Sequence, residues 1–132
     1  MELHLKIIGI IFILLATLHL IFPKYFNWKT QLEGLTLINK QMMYVHTFFI
    51  GLVVLLMGVI CVYSSEEIVH TRLGQQLSFG LFIFWAARLF FQFFVYSSKL
   101  WKGKKFEFTI HILFSILWVY FTVVFFFIAK GH

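Results

Sequence analysis

Four stretches of this chain contain no Asp, Glu or Lys: Ile7 to Phe22, Gln41 to Ser65, Leu73 to Ser98, and Phe108 to Ala129. A hydrocarbon core is crossed by ~20 helical residues, so three of the stretches are long enough to span and the first is nearly so. With 61% hydrophobic, 21% aromatic and only 12% charged residues, the chain has too little polar surface to cover a soluble domain of 132 residues. The expected fold is an all-α integral membrane protein, with spans at about residues 5–22, 42–64, 73–97 and 108–129. The connection SSEEIVHTR is short and polar, which makes spans two and three antiparallel neighbours. The expectation is a four-transmembrane-helix, up-down-up-down bundle forming a single transmembrane domain over residues 1–132.

The opening MELHLK before an apolar run resembles a secretory leader, but Ala16-Thr17-Leu18 offers no small-x-small cleavage motif, so the segment is read as a retained helix. Cys61 has no second cysteine to pair with and reads as a small apolar filler.

The formal charge is +6. Sorted by loop, Lys24, Lys29, Lys40, Lys99, Lys102, Lys104 and Lys105 fall on one face against Glu33 and Glu107, while Lys6, Arg72 and Lys130 fall on the other against Glu2, Glu66 and Glu67. Positive charge concentrates in cytoplasmic loops. The first and third connections are therefore expected inside and both termini outside, in a bacterial inner (plasma) membrane. Membrane topology accounts for these lysines without nucleic acid, and anionic lipid headgroups are their expected partners. Residues 24–40 are too polar to span, yet carry Tyr25, Phe26, Trp28, Leu32 and Leu35. They are expected to form an amphipathic loop along the cytoplasmic interface.

The polar residues inside the spans carry the functional signal. His19 stands five residues before Lys24, His46 six after Lys40, Gln92 seven before Lys99 and His111 six after Lys105. At ~1.5 Å per residue each lies roughly 8 to 10 Å inside its lysine, which places four nitrogen-bearing side chains from four helices at one depth. Arg88 is one turn deeper than Gln92 on the same helical face. Two polar stripes point inward: Ser78, Trp85, Arg88 and Gln92 on the third span, and His111, Ser115, Trp118 and Thr122 on the fourth. On the first span, Gly9, Phe12, Ala16 and His19 make a weaker face. On the second, Gly51 and Gly58 could admit a close neighbour without clearly underlying His46. His4, His70 and His132 read as solvated, and most of the 19 Phe as lipid-facing bulk.

Neutral imidazole is the commonest metal ligand, so His19, His46 and His111 make a candidate site for a transition metal (Zn, Fe or Cu) with an open position. Two opposed His could instead hold heme b axially, with Arg88 and Gln92 near its propionates and a redox role to follow. No Asp or Glu lies within a span, which argues against di-iron carboxylate chemistry. A second class is metal-free: Arg88, Gln92 and the His cluster would bind or transport a small anion or an anionic lipid, because a guanidinium grips carboxylate or phosphate as a fork. A third is a non-catalytic accessory subunit, paired with a membrane-protein partner or a homo-oligomer, whose polar cluster only locks helices together.

Overall fold

A computed structural model of the protein describes residues 1–131; His132 lies outside the described residues. The chain is all-α. Its helices are α1 (Glu2–Tyr25), α2 (Trp28–Gln31), α3 (Leu37–Tyr63), α4 (Ser65–His70), α5 (Arg72–Phe90) and α6 (Lys105–Ala129). A π-helical turn, Phe91–Val95, continues α5, and a single 3-10 turn, Ser98–Leu100, interrupts the path to α6. Among the described residues four helices are long and apolar enough to cross a membrane: Glu2–Tyr25, Leu37–Tyr63, Arg72–Val95 and Lys105–Ala129. The shortest has 24 residues, or roughly 36 Å of helix against a core of about 30 Å. Helices suit such a solvent because every backbone N–H and C=O is satisfied within the segment. The protein is integral to a membrane.

The helices overrun the apolar stretches. α1 begins at Glu2 and passes through Pro23, and α3 begins at Leu37, inside the segment expected as an interfacial loop. Charged residues in the terminal turns do not break a helix whose backbone is already propagating. Glu2 in the first turn of α1 and Lys24 in its last also complement the helix dipole. The polar connection SSEEIVHTR is itself mostly helical. Ser64 departs from helical geometry (φ −117, ψ 28), α4 follows, and Thr71 caps α5 by accepting the Gly74 N–H at 3.0 Å. A Cβ on Gly74 would overlap the Ile68 backbone, so only glycine allows this corner.

The described residues form two compact units, one of Leu3–Ser65 and one of Met1–Glu2 with Glu66 onward. In the first, α1 and α3 run antiparallel and touch through glycine. A Cβ built on Gly58 would lie 2.7 Å from the Gly9 carbonyl oxygen, and one on Gly51 would lie 3.0 Å from the His19 Cβ. Backbones approach this closely only where side chains are missing, and dispersion is what holds helices together in lipid. Phe12, left by the sequence between interior and lipid, is fully buried. Asn27 takes the left-handed conformation (φ 54, ψ 50), which Asn tolerates better than most residues, and turns the chain into α2. Trp28 on α2 is buried and meets Tyr44 edge-on at 5.4 Å, so this part of the connection between α1 and α3 is anchored on α3.

In the second unit α5 packs on α6. The contacts Gln92–His111, Trp85–Trp118 and Phe82–Phe126 descend one helix while climbing the other, so the pair is antiparallel. Its core is aromatic: Trp85 and Trp118 stack at 5.0 Å and Phe121 meets Trp85 edge-on at 4.9 Å. Cys61, in the first unit, is buried as expected of a filler. His4 and His70 are exposed, and His70 Nε2 contacts Glu2 Oε1 at 2.9 Å.

Candidate functional site

The five residues singled out by sequence fall into two groups. Arg88, Gln92 and His111 belong to the unit of α4, α5 and α6, whereas His19 and His46 belong to the unit of α1, α2 and α3. Within the first group the expected common depth brings side chains into contact. Gln92 Nε2 lies 2.9 Å from His111 Nδ1, across 19 residues of sequence.

Gln92 sits in the π turn that ends α5, where the Tyr96 N–H reaches back five residues to the Phe91 carbonyl at 3.1 Å. Such a turn shifts the rotational phase of the residues within it, and π turns recur at functional sites. Gln92 is buried, although its neighbours Phe91, Phe93 and Phe94 are all exposed. Both ends of its amide are bonded: the oxygen accepts from Trp118 Nε1 at 3.4 Å and the nitrogen faces His111. The Trp118 bond is long, so its importance lies in orientation rather than strength. An indole N–H can only donate, which turns the Gln92 oxygen towards Trp118 and leaves the amide NH2 to donate to His111. His111 Nδ1 is then an acceptor, and the proton of the neutral ring is on Nε2.

Loop and helix residues enclose His111. The Trp101 ring stacks on it at 3.8 Å and 13°, and Phe93 approaches its edge at 6.2 Å. One turn along α6, Ser115 donates to the His111 carbonyl at 2.7 Å.

Arg88 is half-buried one turn before Gln92. Its guanidinium carbon lies 5.3 Å from the Trp118 ring and 5.4 Å from the Tyr96 ring. Those π faces attract the charge but supply no acceptors to the five N–H donors of the fork. Among the described residues no carboxylate pairs with Arg88 and no carbonyl hydrogen-bonds to it. Beyond Tyr96 the loop carries Lys99, Lys102 and Lys104, and α6 opens at Lys105, all exposed.

His19 and His46 are placed differently. Gly51 is the α3 residue that faces His19, so His46 lies five residues away along α3, and it is exposed. The lysine ruler fails for this pair because α3 already begins at Leu37 and the glycine contacts set its register. His19 Nδ1 lies 2.8 Å from the Leu15 carbonyl, to which it must donate, and this leaves the Nε2 lone pair free. A metal-ligating His is commonly held this way. Pro23 adds to the local irregularity, since it has no N–H for the carbonyl four residues earlier, that of His19. Among the described residues no group of three or more His, Cys, Asp or Glu is arranged to hold a metal ion.

Trp118, on the inward stripe of the fourth span, was legible in the sequence as an aromatic face for Arg88. Tyr96 and Trp101 were missing from the sequence-derived site and gave no helical-face signal, because they lie beyond the regular part of α5. Compared with known proteins, the chain matches no family model, no curated protein and no solved structure.

Proposed function

We propose that this protein binds an anionic group, a carboxylate or a phosphate, at Arg88, in the half of the membrane nearest its lysine-rich loops. One observation carries the reading: a half-buried guanidinium in a spanning helix is held by two aromatic faces while its N–H donors meet no acceptor among the described residues. A lone cation in a span costs ~2.5 to 3.5 kcal/mol at the membrane centre, and a bound anion would offset that and satisfy the fork at once. Gln92 fixes the indole that supports Arg88, and the His111 Nε2–H is one more donor of the same kind. The exposed lysines that follow Tyr96 would raise the local concentration of anions. By the distribution of lysines, this half is cytoplasmic.

A cluster serving only to lock helices together would be complete with Gln92, His111 and Trp118, so helix locking leaves Arg88 unexplained. The metal or heme reading draws its support from His19, whose Nε2 is ready to ligate. A bound group would need further ligands, from His46 in the same unit or from a partner chain. An absorption spectrum and elemental analysis of gently purified protein test that reading, a Soret band selecting heme.

The anion reading is tested by titrating tryptophan fluorescence with inorganic phosphate, with succinate, and in nanodiscs containing phosphatidylglycerol. Saturable binding by at least one of these is expected. Arg88→Lys, which keeps the charge and loses the fork, should weaken it about tenfold or more. Equal affinities in the native protein and Arg88→Gln would overturn the proposal.

A further inference from the structure

A second polar constellation lies at the other end of the α5–α6 pair, and it does not depend on Arg88. Arg72, Gln75, Gln76, Phe79 and Ala129 line an open groove of about 320 Å³. Arg72 precedes Arg88 by 16 residues, or roughly 24 Å along the helix, so Arg72 stands at one end of the span Arg72–Val95 and Arg88 in its other half. Its lining is amphiphilic: a polar lip of one guanidinium and two carboxamides from the first turns of α5, and an apolar floor of the Phe79 ring, one turn further along α5, with the Ala129 methyl of α6. No ion pair or side-chain hydrogen bond engages Arg72, Gln75 or Gln76 among the described residues. The Gln75 amide lies beside the end of α6, since a Cβ on Gly131 would be 3.5 Å from its Nε2.

We infer that this groove binds the phosphate headgroup of an anionic phospholipid, with the first segment of an acyl chain on Phe79 and Ala129. Three arguments point to a lipid. The lip lies at the end of two membrane-spanning helices, where headgroups reside. The donors presented there, a guanidinium fork and two amide NH2 groups, suit a phosphate with several acceptor oxygens. The floor continues into exposed apolar surface at Phe79 and, one turn along the same face of α5, Ile83, as an amphiphile requires and a free phosphate does not. The amino end of α5 favours the anion and the carboxyl end of α6 opposes it, so the antiparallel dipoles largely cancel and the Arg72 charge decides.

The experiment counts phosphatidylglycerol molecules retained by the purified full-length protein, by native mass spectrometry, after exchange into mixtures of phosphatidylcholine and phosphatidylglycerol. Arg72→Gln should weaken one retained phosphatidylglycerol about tenfold or more, and Ala129→Phe, which keeps every charge but fills the floor, should do the same. Lys6→Gln makes the same charge change at an exposed residue outside the groove and should leave the count alone. Helical circular dichroism should match the native protein in all three. Equal losses in Lys6→Gln and Arg72→Gln would reduce the effect to net charge and overturn the inference. So would retention in Ala129→Phe, and so would displacement of the lipid by millimolar inorganic phosphate, which would make free phosphate the ligand.

Discussion

Gln92 and His111 meet at 2.9 Å between Nε2 and Nδ1, and this bond links the π turn of α5 to the first turns of α6. Because the same amide also receives the Trp118 N–H, the state of one imidazole is tied to the placement of the indole on which Arg88 rests. A polar chain of this kind in a low-dielectric setting stabilises when every member is satisfied and is costly when one is orphaned.

Removing the middle of the chain should therefore show coupling. Gln92→Leu strands the Trp118 N–H and His111 Nδ1, at an expected cost of ~1 to 3 kcal/mol. In the double variant with Trp118→Phe there is no indole donor left to strand, so its destabilisation should fall short of the sum of the two singles by ~0.5 kcal/mol or more. Reversible unfolding in mixed micelles measures the cycle. Strict additivity would mean that the 3.4 Å contact carries no energy.

The two ligand-candidate imidazoles should be opposite tautomers. His19 donates from Nδ1 to the Leu15 carbonyl, while His111 accepts at Nδ1 from Gln92. Nitrogen-15 spectra of the neutral rings should show the proton on Nδ1 in His19 and on Nε2 in His111. Finding His111 protonated on Nδ1 would reverse the Gln92 amide and break its bond to Trp118.

Glycines on the α1–α3 contact should be irreplaceable, and others should not. Gly58→Ala drives a methyl to 2.7 Å from the Gly9 carbonyl oxygen, a backbone atom that cannot turn aside, and should cost about 1 to 3 kcal/mol. Gly80→Ala on α5 meets nothing within 4 Å and should stabilise by roughly 0.5 to 1 kcal/mol through helix propensity alone. Thermal unfolding of the two variants checks the contrast, and a matching response would discredit the close approach.

Arg88→Met should separate charge from structure. The substitution removes a cation that the bilayer disfavours and keeps an unbranched side chain, so the fold should be as stable as the native protein or more so, while anion binding is lost. Loss of the fold would make the guanidinium a structural element held by Tyr96 and Trp118.

Orientation is accessible to labelling. Cysteines placed at Lys29 and Lys102 should react only after the membrane is permeabilised, if the lysine-rich loops are cytoplasmic. Cys61 is 1% exposed and should remain silent in the background. Reaction of either site in intact cells would move the Arg88 site to the outer half.

The sequence by itself determined the class of the protein, the number of its long helices and which faces of α5 and α6 turn inward. These follow from composition and helical period: Ser78, Trp85 and Gln92, like Ser115 and Trp118, are buried where a 3.6-residue repeat puts them. It also brought Gln92 and His111 to one depth, since both were measured from lysines near the same loop. Tertiary structure decided everything that depends on register and on departures from the regular helix. Gly51 against His19 displaced His46 along α3 and left it exposed, because the fit of two glycine-lined backbones, rather than distance from Lys40, sets how the helices slide. The π turn and the loop brought Tyr96 over Arg88 and Trp101 over His111, positions that no periodicity predicts. Which nitrogen of each imidazole carries a proton was settled only by what it faces, a carbonyl for His19 and an amide NH2 for His111, because a donor or acceptor role belongs to the pair and is absent from either residue alone.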